Sequence, residues 1–148
     1  MTERYFNRQE AEELLPFLRR ELKKAISSKQ SVEQLDGQIA KAAARIMTLG
    51  GSIPPYSELV QVKAQREQTL ERITKVVEEI QSSGCVVKDL DEGLVDFPSL
   101  RDGQEVFLCW KLGEERVAWW HGIEEGFAGR KPIEGATPEE PPAPRRLQ

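Results

Sequence analysis

Apolar side chains recur at three- and four-residue spacing through the first third of the chain, which predicts an amphipathic helix over residues 7–49. The stripe consists of Leu14, Leu15, Leu18, Leu22, Ala25, Ile26, Val32, Leu35, Ile39, Ala42, Ala43, Ile46 and Leu49. Asn7, followed by Glu10 three residues later, forms the capping-box pattern of a helix start. Pro16 lacks a backbone N–H, so we expect a kink or break within the first two turns.

A second apolar stripe predicts another helix from about Ser57 to Ser83, after the loop sequence GGSIPP. Two long helices joined by a short loop form an antiparallel, coiled-coil-like helical hairpin, here over residues 7–83. One small sheet cannot cover the apolar surface of such a hairpin, so we expect a homodimer formed through the helices. The alternative is that the two helices cover each other.

The periodicity changes to that of β-strands from Cys85 onward. The candidate strands are CVVKDL, LVDF, EVFLCWKL and RVAWWHG, separated by the turn sequences DEG, PSLRDG and GEE. Such short turns predict a four-stranded antiparallel meander over 85–122, followed by a closing loop over 123–133. The chain is therefore expected to form a single α+β domain over 1–133. Residues 134–148 are rich in Pro and Glu, which predicts a disordered tail.

The turn between the third and fourth strands decides which side chains share a face of the sheet. If Gly113 and Glu114 are the central pair of a two-residue turn, residues whose numbers sum to 227 face each other. Cys109 and His121 then lie on opposite faces, which argues against a Cys/His catalytic pair. That register places on the histidine's face Val106, Leu108, Trp110, Val117 and Trp119.

Asp96 is an acid within a strand that otherwise appears buried. A three-residue DEG loop in the first hairpin would pair Lys88 with Asp96, Leu90 with Leu94, and Val87 with Phe97. Buried acids are usually paired, so we expect Asp96 either to form a cross-strand ion pair with Lys88 or to accept hydrogen bonds from turn amides.

Charge and cysteine content narrow the classes of function. The net charge is −4, and it is divided as +1 over residues 1–83 and −5 over residues 84–148. The acidic half lacks the clustered cations that nucleic acid binding requires, so no nucleic acid partner is expected. No apolar run is long enough to span a membrane, and the charged start does not resemble a signal peptide, which predicts a cytoplasmic protein. Cys85 and Cys109 are expected to be free thiols.

The candidate chemistry is concentrated around the single histidine, His121. The spacing H-x-x-E-E places Glu124 where it and His121 could share a divalent metal ion, with Asp96 or Cys109 as a third ligand. The stretch EEGFAGR ends in Arg130, and its backbone amides and guanidinium would suit an anion. The alternative is structural: His121 packs beside tryptophans and bonds a carboxylate or carbonyl, while Arg130 pins a glycine-rich turn.

Three segments together resemble a family of small bacterial proteins catalogued as domain of unknown function 2203. They are YFNRQEAEELLPFLRREL, GCVVKDLDEGLVDFPSL and GQEVFLCWKLGEERVAWWHGIEEGFAGRKPI, and the resemblance covers residues 5 to about 133 but is poor over 27–55. The family's motif positions correspond here to Asp89, Gly93, Leu94, Asp96, Phe97, Cys109, Trp110, Glu114, Trp120, His121, Gly126, Phe127 and Arg130. The resemblance implies no activity, cofactor, partner or catalytic residue.

The sequence favours a non-enzymatic homodimer whose acidic sheet presents a binding surface, with another protein as the expected partner. The alternative is a metal- or small-ligand-binding protein, with hydrolysis as an activity it would support. Its site would contain Asp96, His121, Glu124 and Arg130, with Cys109 nearby. The first hypothesis predicts no cofactor, and the second predicts a divalent metal ion.

Overall fold

The computed structural model describes residues 4–48 and 56–133. These residues form two compact units: residues up to 22 combine with those from 79 onward, and residues 23–78 form the second. The loop GGSIPP and the tail predicted over 134–148 lie outside the described residues. The single domain over 1–133 stays a prediction. No helix among the described residues is long and apolar enough to cross a membrane.

The first predicted helix is divided in two. Helix α1 spans Arg8–Glu13 and helix α2 spans Leu15–Thr48. Asn7 Oδ1 accepts a hydrogen bond from the Glu10 amide at 2.7 Å, and Glu10 Oε1 accepts from the Asn7 amide at 2.9 Å, so the capping box is confirmed. The break falls at Leu14, which leaves Pro16 in the first turn of α2. An N–H has no helical partner there, so proline is tolerated, and the predicted break is confirmed.

Helix α3 spans Tyr56–Ser82, and within residues 23–78 it runs antiparallel to α2. Arg66 Nε lies 2.5 Å from Asp36 Oδ1, and Arg45 Nη2 lies 3.9 Å from Glu58 Oε1. Residue numbers rise along one helix as they fall along the other, so the predicted helical hairpin is present in this unit. Its buried positions are Ala25, Ser28, Ala42, Val62, Thr69 and Val76.

The other unit contains a five-stranded antiparallel sheet in the order β1-β2-β3-β4-β5. The strands are Val86–Asp89, Leu94–Arg101, Gln104–Lys111, Trp119–Gly122 and Lys131–Pro132. The α+β class and the meander are confirmed, but the sheet has one strand more than predicted. The additional strand, β5, lies within the predicted closing loop, where its proline occupies the edge position that tolerates a missing donor.

The predicted register of the third hairpin is wrong by one residue. Phe107 pairs with His121 and Cys109 pairs with Trp119, so all four side chains share one face of the sheet. Strand β3 ends at Lys111 and β4 begins only at Trp119, with residues 112–118 forming a loop.

Glu114 explains why a two-residue turn does not form. Its side chain accepts a hydrogen bond from the Lys111 amide at 3.0 Å, and its carbonyl accepts one from the Trp110 indole at 3.0 Å. The Glu114 amide donates to the Lys111 carbonyl at 2.9 Å, closing a turn in which Gly113 has a φ of +110°. These bonds commit Glu114 to the loop, so it cannot act as a central turn residue.

The first hairpin also differs from its predicted register. Val86 pairs with Asp96, Val87 with Val95, and Asp89 with Leu94, with an irregularity between Val87 and Asp89. Lys88 is an extra residue in β1 at this irregularity, so the pairs before it differ from those that a regular three-residue loop would give. The expected ion pair is nevertheless present, with 3.9 Å between Lys88 Nζ and Asp96 Oδ2.

The two faces of this sheet have different roles. We call the face that carries Asp96, Cys109 and His121 the ligand face, and the opposite one the core face. Phe97 lies on the core face and meets Phe6 edge to face, with 5.3 Å between ring centroids. The buried apolar residues of the core face are Val95, Phe97, Val106, Leu108 and Trp110. Trp110 therefore lies on the core face and not, as predicted, on the face of His121.

Gly93 and Gly103 offer a matched test of packing at the strand ends. Both have positive φ, +68° and +80°, so alanine is strained at either position. A Cβ at Gly93 would lie 2.5 Å from Leu112 Cβ, whereas one at Gly103 would meet nothing within 4 Å. We expect Gly103→Ala to lower the free energy of unfolding by about 1 kcal/mol and Gly93→Ala by about 3 kcal/mol, measured by urea denaturation. Equal losses would contradict the contact with Leu112.

Candidate metal centre

Three side chains with metal-binding chemistry converge on the ligand face. Asp96 lies on β2, Cys109 on β3 and His121 on β4, and all three are buried. Asp96 and Cys109 are cross-strand neighbours, and their ligand atoms and one of His121 lie within 4.8 Å of one another. Three adjacent strands thus each contribute one oxygen, sulfur or nitrogen atom to a single point.

The orientation of His121 is fixed from both ends of its ring. Nε2 lies 3.2 Å and 3.1 Å from the two carboxylate oxygens of Asp96, and Nδ1 lies 2.8 Å from the Gly122 carbonyl oxygen. A carbonyl oxygen can only accept, so Nδ1 carries a hydrogen. Nε2, which faces Asp96, then either carries a second proton or has a free lone pair that could bind a cation. A ring N–H held by a backbone carbonyl is the usual outer partner of a metal-binding histidine.

The distances are compatible with a tetrahedral site. Bond lengths of about 2.0–2.2 Å from zinc to nitrogen and oxygen place those atoms about 3.3 Å apart in a tetrahedron. The separation between His121 Nε2 and Asp96 is already close to this value, at 3.1–3.2 Å. Three protein ligands would leave the fourth position open, the arrangement of zinc sites that bind a water or a substrate.

Cys109 is poorly suited to act as a nucleophile by itself. The pKa of its thiol is raised to about 12, mainly because the thiol is buried; the positive charge of Arg130 opposes this rise, and the carboxylate of Asp96 adds to it. A thiol with so high a pKa is protonated at neutral pH and is unreactive. A metal ion would displace that proton, since the thiolate is the form that coordinates. The Cys/His catalytic pair is therefore disfavoured by burial rather than by a separation across the sheet.

Two other predicted site residues lie outside this group. Glu124 is exposed and does not join the three buried ligands. Arg130 lies beside Cys109, because its Nη2 donates to the Cys109 carbonyl at 3.4 Å and to Glu114 Oε1 at 2.7 Å. The guanidinium also packs over Phe127, at 4.3 Å from the ring centroid. Arg130 thus secures the loop that carries Glu114, and it is a neighbour of the cluster.

Glu125 contributes more to the site than the sequence predicts. Its Oε1 accepts hydrogen bonds from the Gly122 amide at 2.7 Å and from Lys131 Nζ at 2.5 Å, and its own amide donates to the Gly122 carbonyl at 3.0 Å. The bond from Lys131 holds the pKa of Glu125 below its usual value. Because the Gly122 carbonyl also accepts from His121, Glu125 stabilises the residue that orients the imidazole: its backbone amide bonds that carbonyl, and its side chain bonds the amide of the same glycine.

Gly129 makes this arrangement possible. A Cβ at that position would lie 3.0 Å from Glu125 Cβ, which is closer than side chains normally approach. The GFAGR segment therefore permits a close approach between the chain and Glu125. The signal in the sequence is the pair of glycines Gly122 and Gly129, which lie before and after the two glutamates in HGIEEGFAG.

Comparison with known protein families assigns the chain to a family of uncharacterised function. Residues 4–133 match the family described as uncharacterized conserved protein DUF2203. The chain belongs to this family, as the resemblance of its motifs predicted. No curated protein and no solved structure matches the chain.

Proposed function

We propose that the protein binds one divalent transition metal ion through Asp96, Cys109 and His121. The observation that supports this proposal is the convergence of three buried ligand atoms within 4.8 Å, from three different strands. The Gly122 carbonyl orients His121 so that Nε2 faces the other two ligands. Four of the five residues named from the sequence lie in or beside this cluster, and Glu124 is replaced by Glu125 in an outer position.

The ligand types favour zinc or cobalt over magnesium or calcium. A thiolate and an imidazole suit borderline-soft ions, whereas magnesium and calcium require several oxygen ligands. The site offers one carboxylate only. We therefore infer metal binding as the function of the sheet, with hydrolysis as an activity that the open fourth position would permit.

Metal analysis of untagged protein tests this proposal. We expect the purified chain to retain about one zinc or cobalt ion per chain after gel filtration, and to retain no magnesium. His121→Ala should abolish the retained metal. Protein that stays free of metal after incubation with zinc, while remaining folded, would refute the proposal.

Glu125 and Glu124 provide a matched pair of variants for the outer partner. Glu125→Ala removes the side-chain acceptor of the Gly122 amide but keeps the bond from the residue-125 amide to the Gly122 carbonyl, so we expect zinc affinity to fall by up to about tenfold, the lower end of the range for outer-shell partners. Glu124→Ala alters an exposed neighbour of equal charge and should leave the affinity unchanged. Competition with a chromophoric chelator measures both values. Equal effects of the two variants would show that charge, and not the orientation of His121, sets the affinity.

We also propose that the helices mediate homodimer formation and that the protein is cytoplasmic. In support, Met47 at the end of α2, and Tyr56 and Val60 at the start of α3, expose 81%, 57% and 65% of their surface. One chain has a mass of 16.8 kDa, and light scattering at micromolar concentration should give twice this mass. The Val60→Glu variant should give the mass of a single chain. A single-chain mass for the unsubstituted protein would end this proposal.

A protein partner for the acidic sheet and a bacterial source stay predictions.

A further inference from the structure

We propose that the open position of the metal ion takes a small oxyanion from solvent, and that Lys88 forms the second contact to it. This inference rests on the proposed metal site. It goes further by naming the class of ligand and a residue outside the three metal ligands.

Lys88 connects the buried cluster to solvent. Its side chain is 44% exposed, yet its Nζ lies 3.9 Å from Oδ2 of Asp96, whose side chain is 2% exposed. Nζ also lies 4.9 Å from the centroid of the Phe107 ring, and Phe107 pairs with His121 across strands β3 and β4. A half-exposed ammonium thus lies beside a buried carboxylate of the cluster, and we infer that a small solute would reach the cluster from this side.

Metal binding changes what Lys88 can pair with. At 3.9 Å its contact with Asp96 is an ion pair too long for a hydrogen bond. Once Asp96 coordinates a cation, its negative charge is neutralised and Lys88 loses its counter-charge. An anion on the metal would restore a partner to Lys88 at the place where Lys88 already lies.

The charges of the site point the same way. A divalent ion is balanced by the carboxylate of Asp96 and the thiolate of Cys109 when His121 is neutral. Arg130 is balanced by Glu114, 2.7 Å away, so Lys88 supplies one unmatched positive charge. A singly charged anion would neutralise it.

Arg130 gives an independent indication of a missing acceptor. Its side chain is 7% exposed, and its Nε is buried without a hydrogen-bond partner among the described residues. An unsatisfied buried donor is costly, and its positive charge acts on Cys109. Two cations therefore lie next to the cluster, Arg130 at the backbone of Cys109 and Lys88 at the carboxylate of Asp96. Oxygen-rich anions such as phosphate or a carboxylate accept from ammonium and guanidinium donors and coordinate zinc and cobalt.

The test uses full-length protein loaded with cobalt and freed of excess metal, titrated with inorganic phosphate. The visible absorption of cobalt reports its coordination, so phosphate binding should shift it saturably. Lys88→Met should weaken phosphate binding about tenfold or more, the loss expected for one charge-assisted contact, while cobalt affinity does not fall. Lys111→Met is the matched control, because Lys111 is on the same face but pairs with Glu92 at 3.2 Å. It should leave phosphate binding unchanged.

The outcomes separate this inference from the metal site itself. Cobalt binding with a spectrum that phosphate leaves unaltered, or removal of cobalt by phosphate, would overturn the oxyanion and leave the metal site standing. Equal weakening by the two lysine variants would also overturn it, since a general charge effect would then suffice. Failure to bind cobalt would overturn both.

Discussion

Replacement of Cys109 by serine should abolish the thiolate-to-cobalt charge-transfer absorption of the loaded protein and weaken metal binding by more than a hundredfold. The reason is that Cys109 is the sulfur ligand of the proposed site, and loss of a ligand should exceed the loss of about 10- to 100-fold that is typical of an outer partner. Ultraviolet absorption during cobalt titration measures the band and the affinity together.

Cys85→Ser is the control for this experiment. Cys85 is also a buried free thiol, but its sulfur contacts Ser83 Oγ at 3.4 Å and the Ile80 carbonyl at 3.5 Å. Both substitutions introduce a hydroxyl group at a buried position, so their effects on folding are comparable. The Cys85 variant should keep the charge-transfer band. A band that survives in the Cys109 variant and disappears in the Cys85 variant would place the metal elsewhere.

Removal of His121 should strongly destabilise the metal-free protein. His121 and Asp96 each expose only 2% of their side chains and contact each other at 3.1 Å. His121→Ala would leave Asp96 buried, with only the long contact to Lys88 as an ion pair. Breaking a buried pair by removing one partner typically costs about 3–5 kcal/mol, and we expect a loss of this size in urea denaturation.

A double-mutant cycle distinguishes the pair from simple loss of packing. Asp96→Ala should cost a similar amount, but the double variant should cost clearly less than the two single losses combined, because no buried partner is left behind. The cycle should be measured with a chelator present, so that metal binding does not contribute. Strictly additive losses would mean that the two side chains do not stabilise each other.

The local patterns of the sequence predicted much of the fold. Helical spacing and the capping box at Asn7 depend on neighbours within one or two turns, and both are found. The meander follows from short turns between strands, which leave antiparallel neighbours as the only arrangement. The helix breaks at Leu14, just before Pro16, so that Pro16 lies in the first turn of α2, where a missing N–H is tolerated.

The register of the sheet could not be predicted because distant residues determine it. Arg130 and the Trp110 indole both bond Glu114, and these contacts set the length of the loop before β4. A change of one residue in that loop moves every side chain to the other face. The sequence therefore identified Asp96, Cys109 and His121 as candidates, but the predicted register placed Cys109 and His121 on opposite faces of the sheet.

The outer part of the site was missed for a similar reason. Ligand spacing favoured Glu124, which precedes the residue that bonds the Gly122 peptide. The choice between two adjacent glutamates depends on the turn in which Gly122 and Gly129 lie against Glu125, and on Lys131 of β5, which bonds the Glu125 carboxylate.

Because the proposed ligands lie on three different strands, a bound metal ion would depend on the correct alignment of those strands. Strand β4 has four residues, so few backbone bonds oppose its sliding along β3. A slip by one residue would direct His121 to the core face and replace it with Trp120 or Gly122, neither of which binds metal. Only the correct alignment would then gain the binding free energy, so the ion would select one pairing of a short strand over its neighbours.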